Sequence, residues 1–123
     1  MASDFKNLLV WQKSMDLTCA IYQVSQNLPL NEKYSLTDQM RRAAVSIPSN
    51  IAEGQGRCSQ NEFYRFLTIS HGSLKELETQ LLICERLNYL RQEDINNCMS
   101  LISEIGKLLG GLLSKIKSQK TDN

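Results

Sequence analysis

The chain has 123 residues, of which 41% are hydrophobic and 22% charged, and 14 Lys and Arg residues nearly balance 13 Asp and Glu residues. This length predicts one domain that buries roughly two thirds of the extended chain's surface, enough for a core without disulfides or metal. The composition argues against a disordered chain, and the formal charge of +1 excludes a uniformly polybasic or strongly acidic protein.

The cysteine pattern is that of reduced, structural thiols. Cys19, Cys58, Cys84 and Cys98 form no C-x-x-C pair and do not have the spacing of a zinc site. Cys58 lies in a polar turn, whereas the other three lie in apolar periodic segments, where a thiol acts as a small hydrophobe. No signal peptide and no membrane-spanning stretch are expected, so we predict a cytoplasmic protein without membrane contact.

Apolar residues recur at helical spacing along nearly the whole chain. The first helix is predicted over about residues 9–28, where Pro29 ends it. The second is predicted over about residues 35–53 with a kink at Pro48, and the alternative is an end just before Pro48 and a restart there. Gly54 is expected to take the left-handed position after this helix.

Two longer helices follow. A Ser-x-x-Glu capping box at residues 59–62 opens a helix over about residues 59–88, with Asn88 as its expected C-terminal cap. The last helix is predicted over about residues 93–116, followed by a polar, frayed tail at 117–123.

Four long helices joined by short connections predict an all-α, up-down-up-down antiparallel four-helix bundle, with a proline kink in its second helix. We predict that a single domain spans residues 1–123. The apolar stripes are wider than one core seam requires. This excess predicts either a second buried surface in an oligomer or simply a wide core-facing arc.

No catalytic set is recognised. The single histidine, His71, lies in the middle of a helix without a nucleophile elbow or an oxyanion loop. One histidine cannot supply a di-iron bundle, and the glycines at Gly54 and Gly56 lack the strand and the Lys-Ser/Thr pair of a phosphate loop. We therefore expect a protein that is not an enzyme and holds no metal or cofactor.

Charge is unevenly distributed along the chain. Residues 41–75 carry five basic and two acidic residues, whereas residues 76–104 carry two basic and six acidic residues. Arginine suits bidentate contacts with phosphate, so the basic segment predicts an elongated nucleic-acid-binding patch. Its members are Arg41, Arg42, Arg57 and Arg65. The alternative is that these arginines form exposed salt bridges with neighbouring carboxylates, namely Asp38, Glu53 and Glu62.

Four segments of the chain resemble the 23S rRNA intervening-sequence proteins, also described as four helix bundle proteins. The segments are QMRRAAVSIPSNIAEG at 39–54, FKNLLVWQK at 5–13, EFYRFL at 62–67 and GSLKELETQ at 72–80. The resemblance covers about residues 5–115. It implies the bundle and adds a homopentameric ring with a central channel. A related protein of diversity-generating retroelements forms such a ring, binds nucleic acid through basic residues and assists a reverse transcriptase.

The resemblance also assigns positions. Basic family positions are matched by Arg41, Arg42 and Arg65, and the family signature is matched by Pro48, Asn50, Glu53 and Gly54. The signature has a structural explanation, because Pro48 cannot donate a hydrogen bond to the carbonyl of Ala44, which a small polar neighbour or water is expected to satisfy. Asn50 and Glu53 lie on one helical face and are expected to bond across a helix or subunit contact in preference to a ligand.

Together these features predict a homo-oligomer, a pentamer, that binds RNA or DNA through its arginine patch. The alternative is a protein–protein interaction module or scaffold without a nucleic-acid role, whose broad apolar surface recruits a protein partner.

Overall fold

The computed structural model describes residues 4–121, with side chains through residue 119. No strand occurs within that range. The four long helices are α1 (Leu9–Ser25), α2 (Leu36–Gly56), α3 (Gln60–Arg86) and α4 (Gln92–Thr121). Single turns of 3-10 helix at Phe5–Asn7 and Leu30–Glu32 precede α1 and α2.

Each helix packs against the next one in the chain, and α4 closes the arrangement by packing against α1. Because the connections are short, consecutive helices run in opposite directions. The predicted all-α, up-down-up-down antiparallel four-helix bundle is confirmed.

The core is formed by the apolar stripes that the periodicity indicates. The largest fully buried side chains are Leu17, Ile21, Met40, Ile47, Ile51, Leu67, Leu74, Leu77, Leu81, Cys84, Ile105 and Leu109. The thiol of Cys84 lies 3.6 Å from the sulfur of Met40, on the contact between α3 and α2. Cys98 is buried as well, but Cys19 is exposed, because its position on α1 points away from the core.

The second helix ends differently from the prediction. α2 continues through Gly54 to Gly56, and no glycine of the described residues has a positive φ. The left-handed residue of the following turn is Cys58, with φ of 57°. The expected left-handed conformation of Gly54 is therefore wrong. α2 is continuous through Pro48, which excludes an end and restart there, while a bend of its axis stays a prediction.

Both ends of α3 have the predicted caps. The Ser59 hydroxyl accepts a hydrogen bond from the amide of Glu62 at 3.3 Å. Asn88 has φ of 62°, and the amide of Tyr89 donates to the carbonyl of Cys84 at 2.9 Å. This bond and the left-handed residue before it form a Schellman motif, which satisfies carbonyls at the end of the helix.

The C-terminal ends of α1 and α4 differ from their predicted positions by a few residues. α1 ends at Ser25, before the predicted position 28. α4 continues to Thr121, so residues 117–121 are helical where a frayed tail is predicted. Residues 1–3 and 122–123, which belong to the predicted domain, lie outside the described residues.

Several apolar side chains remain on the surface of the chain. Among them, Leu82, Ile83 and Leu87 are 43%, 40% and 51% exposed. They lie within two helical turns of one another at the C-terminal end of α3. We call these three residues the α3 apolar stripe.

Candidate nucleic-acid interface

The four candidate arginines lie in two groups. Arg41 and Arg42 are on the second turn of α2, whereas Arg57 follows the end of α2 and Arg65 lies near the start of α3. The rise of an α-helix places Arg41 and Arg57 about 24 Å apart along the bundle. The structure therefore divides the predicted elongated patch between the two ends of the bundle.

Arg41 is held against the C-terminal part of α1. Its Nε donates to the Ser25 hydroxyl at 2.9 Å, and its Nη2 donates to the carbonyl of Tyr22 at 3.2 Å. The guanidinium carbon lies 4.7 Å from the centre of the Tyr22 ring. Within residues 4–119, no carboxylate lies within ion-pair distance of Arg41, so its positive charge is not neutralised by a salt bridge.

Arg42 is far more accessible than Arg41. Its side chain is 80% exposed and forms one salt bridge, from Nε to the Asp38 carboxylate at 3.0 Å. Both arginines line a shallow groove between α1 and α2 that contains two positive charges and one negative charge. The groove is lined by Tyr22, Asp38, Arg41, Arg42, Val45, Ser46 and Ser49. We call it the Arg41–Arg42 groove.

In the second group, the positive charges of Arg57 and Arg65 are balanced by nearby carboxylates. Arg65 forms a bidentate pair with the Glu62 carboxylate at 3.0 and 3.2 Å, which lowers the pKa of Glu62 below its usual value. Arg57 pairs with Glu53 at 2.8 Å and approaches Glu62 at 4.0 Å. The guanidiniums of Arg57 and Arg65 also lie 5.2 and 4.4 Å from the centre of the Phe66 ring. These contacts match the salt-bridge alternative at this end of the bundle.

The signature residue Pro48 leaves a carbonyl of α2 without its helical donor, and α1 supplies a replacement. The Thr18 hydroxyl lies 3.1 Å from the Ala44 carbonyl oxygen and 2.8 Å from the carbonyl of Ser14 on its own helix. Its single proton is therefore shared between two acceptors. A small polar neighbour at Ala44 is what the sequence predicts, although the sequence does not single out Thr18.

Asn50 joins a polar contact between α2 and α3. Its amide nitrogen donates to the carbonyl and hydroxyl oxygens of Ser46 at 2.8 and 2.9 Å. The Ser46 hydroxyl in turn lies 2.9 Å from that of Ser73 on α3. A second hydroxyl of α3, that of the buried Ser70, donates to the Ile47 carbonyl at 2.9 Å. Asn50 therefore connects to α3 through Ser46.

Glu53 and Gly54 differ in their roles. Glu53 forms its salt bridge with Arg57, one turn further along the chain, and not across helices. Gly54 is buried against α3, where an added Cβ would lie 2.7 Å from the Cβ of Phe66. The glycine is required because the two helices approach closely here.

Sequence reasoning misses Tyr22 as a groove residue. Tyr22 flanks the apolar stripe of α1, and its ring is 42% exposed. Its helical position, one turn before Ser25, places both residues beside the start of α2. The short connection between α1 and α2 predicts that these helices are neighbours, so the sequence could have indicated this contact. It does not indicate that the Arg41 guanidinium lies over the Tyr22 ring.

Outside the groove, the described residues form a further pocket and hold no cluster of metal ligands. A pocket of about 350 Å³ lies between the α2–α3 turn and the end of α4, lined in part by Cys58, Phe63, Leu112 and Ile116. Among the described residues, no three His, Cys, Asp or Glu side chains cluster to hold a metal ion. His71 is half-buried, and its Nδ1 atom has no hydrogen-bond partner in that part of the chain. No helix within the same part is long and apolar enough to cross a membrane.

The fold and the groove define a helical-bundle protein with an arginine-lined surface between its first two helices. The sequence model of the 23S rRNA-intervening sequence protein family matches residues 6–111. The chain belongs to this family, which confirms the resemblance of its sequence motifs.

The chain is similar in fold to a solved structure of a related family. It is the 1.70 Å crystal structure of a protein of unknown function from the S23 ribosomal protein family of Bacteroides thetaiotaomicron. The two chains share 27% identity with a TM-score of 0.78, over 85% of this chain and 98% of the other. Among curated proteins, none matches this chain.

Proposed function

We propose that this chain is a non-enzymatic, cytoplasmic homo-oligomer, a pentamer, that binds RNA or DNA through the Arg41–Arg42 groove. The observation that carries the proposal is the excess of positive charge there, since Arg41 has no carboxylate partner in the described residues and Arg42 is 80% exposed. Phosphate contacts by such arginines supply most of the affinity of sequence-independent nucleic-acid binding.

Arg57 and Arg65 have a smaller part in this proposal. Both are paired with Glu53 or Glu62, so a phosphate must compete with a carboxylate that is already in place. Repeating the groove around a ring would align several copies of Arg41 and Arg42 and increase the affinity through multivalency.

Self-association is supported by the α3 apolar stripe. Three exposed apolar side chains at one end of a helix form a small patch, and contact with another subunit would remove them from water. Light scattering at micromolar concentration should give about 70 kDa for five chains of 14.0 kDa each. A stable 14.0 kDa species would overturn the oligomer.

Nucleic-acid binding is tested by two matched double variants. Arg41→Ala/Arg42→Ala should weaken binding of a labelled 20-base-pair duplex and reduce the slope of log K against log salt by about 2. Arg57→Ala/Arg65→Ala removes the same formal charge from the balanced group and should change that slope less. Equal binding by the wild type and the Arg41→Ala/Arg42→Ala variant would overturn the assignment of the groove.

The second candidate function is a protein-interaction scaffold without a nucleic-acid role. The α3 apolar stripe and the balanced charges around Glu62 favour it. Absence of nucleic-acid binding at 50 mM salt by an oligomer of the expected mass would select this candidate.

A further inference from the structure

The Arg41–Tyr22 pair fixes the plane of a guanidinium group at the surface. Two donors of Arg41 are used by Ser25 and by the Tyr22 carbonyl, and the group lies over the Tyr22 ring at 4.7 Å. Held in this way, Arg41 keeps its positive charge beside Arg42 and presents a guanidinium whose plane is fixed. It is well suited to stacking, because its flat face is already ordered by α1.

The neighbouring side chains add what a stacked base requires. Arg42 is 80% exposed and can reach a phosphate beside the stack. Val45 is 41% exposed and adds an apolar side chain to the groove, one turn along α2 from Arg41 and Arg42. Ser49 adds an exposed hydroxyl at the far end of the same groove.

Building on the proposed function, we infer that the Arg41–Arg42 groove binds single-stranded nucleic acid in preference to a duplex. Unpaired bases stack on aromatic rings and on arginine planes, whereas a duplex presents its phosphates and keeps its base faces inside the helix. The fixed guanidinium of Arg41 over the Tyr22 ring and the exposed Val45 side chain add surfaces that contacts with phosphates alone do not require. The geometry therefore favours a strand with at least one base exposed.

The preference is measured by fluorescence anisotropy with the full chain. The probes are a labelled 20-nucleotide oligo-dT, the corresponding oligo-U and a 20-base-pair duplex, each at 50 and 200 mM salt. We expect the single strands to bind at least about fivefold more tightly than the duplex, because loss of one stacked base costs about 5- to 150-fold.

Tyr22→Leu is the central variant, and Tyr34→Leu is its matched control. Tyr34 is 87% exposed and has Lys33 over its ring at 5.4 Å, so it is also a tyrosine beside a cation, but outside the groove. Tyr22→Leu should lose about 5- to 150-fold in single-strand affinity and leave duplex binding unchanged. Tyr34→Leu should change neither.

Arg41→Lys gives an independent check should Tyr22→Leu fail to fold. It keeps the positive charge and removes the flat guanidinium, so single-strand binding should fall while duplex binding stays within about twofold of the wild type. Circular dichroism and light scattering of each variant establish that the fold and the mass are retained.

The outcomes separate this inference from the proposed function. Equal affinity for strand and duplex, with Arg42→Ala weakening both and Tyr22→Leu weakening neither, would overturn the single-strand preference and retain nucleic-acid binding. No binding of any probe at 50 mM salt would overturn both. A Tyr22→Leu variant that folds but changes the mass of the assembly would assign the groove to a subunit contact and overturn the inference.

Discussion

The Thr18 hydroxyl lies 3.1 Å from the carbonyl oxygen of Ala44, across the contact between α1 and α2. Ala44 is the residue whose usual helical donor is replaced by Pro48, so this bond occupies an acceptor that the proline leaves open. A proline in the helix interior costs about 3 kcal/mol relative to alanine. The cross-helix bond offsets part of that cost and connects the family signature to α1.

Thr18→Val should destabilise the protein by about 1–3 kcal/mol, because it leaves the Ala44 carbonyl without a donor at a largely enclosed position. The substitution keeps the shape of the side chain and removes the hydroxyl. Chemical denaturation at one fixed protein concentration measures the change. Thr18→Ser keeps the hydroxyl and is the matched control, which should retain most of the stability.

A double-mutant cycle with Pro48→Ala tests the cause of that effect. Alanine at position 48 restores an amide that can donate to the Ala44 carbonyl, so Thr18→Val should cost less in this background. The expected coupling is about 0.5–3 kcal/mol. Additive effects of the two substitutions would contradict the proposed replacement of the helical donor.

Gly54→Ala should be destabilising by about 1–3 kcal/mol, although alanine is the better helix former. Its Cβ would lie 2.7 Å from the Cβ of Phe66 and 3.1 Å from the Cδ1 of Phe63. The first of these is rigidly attached to the backbone of α3, so the helices must separate. Gly56→Ala is the control, since nothing lies within 4 Å of an added Cβ there.

Gly56→Ala should therefore gain up to about 0.5 kcal/mol through its higher helix propensity, less than in a helix interior because Gly56 is the last residue of α2. Thermal or chemical denaturation distinguishes the two variants by the sign of the change. If both alanines stabilised the protein, close packing between α2 and α3 at Gly54 would not be the reason for the glycine.

The core and several helix ends follow from local sequence signals, because periodicity and capping act over a few residues. Asn88 ends α3 in the predicted left-handed conformation, and the Ser59 cap opens it. At Gly54, local sequence signals do not predict the observed conformation. Two glycines and a polar turn suggest a helix end there, but the close contact with Phe66 comes from another helix, and Cys58 takes the left-handed position instead.

The candidate site is less predictable from sequence than the core. The arginines themselves stand out by charge, but their partners depend on which helices are neighbours. Arg57 and Arg65 find carboxylates one helical turn away, which sequence spacing can suggest. Arg41 binds Ser25 and Tyr22 from a different helix, 16 and 19 residues earlier, and no short-range pattern contains that information.

Thiol reactivity should divide the cysteines into two pairs. Cys19 and Cys58 are exposed, whereas Cys84 and Cys98 are buried. Burial raises the pKa of the Cys84 thiol to about 11 and also raises that of Cys98, so little thiolate is present at either site. A disulfide reagent at pH 8 should modify two thiols quickly and the other two only after unfolding.

The Cys19→Ser/Cys58→Ser variant provides the control for this assignment. It should lose the entire fast phase and keep the slow one. A fast-reacting thiol in that variant would mean that the contact between α2 and α3 around Cys84, or the α4 core around Cys98, opens readily in solution.

The Glu32 carboxylate links the α1–α2 connection to the α3–α4 connection and predicts a loss of stability in acid. It accepts hydrogen bonds from Ser35, from the amide of Leu36 and from the Tyr89 hydroxyl, which lies 2.8 Å away. These bonds, that of Ser35 first, hold the pKa of Glu32 below its usual value of 4.5. A lowered pKa in the folded state stabilises the protein above the unfolded-state pKa, and this contribution is lost as the pH falls through the folded-state value.

Glu32→Gln should therefore lower the denaturation midpoint at pH 7, and the difference from the wild type should shrink as the pH falls below 4.5. The reason is that the protonated carboxyl, like the amide, carries no charge for the three donors to stabilise. Asp16→Asn removes an exposed carboxylate without an ion pair in the described part of the chain and is the control, with a small difference expected throughout. A Glu32→Gln difference that stayed constant between pH 7 and pH 3 would mean that the charge of Glu32 does not stabilise the fold, and that the connection is held by Tyr89 packing instead.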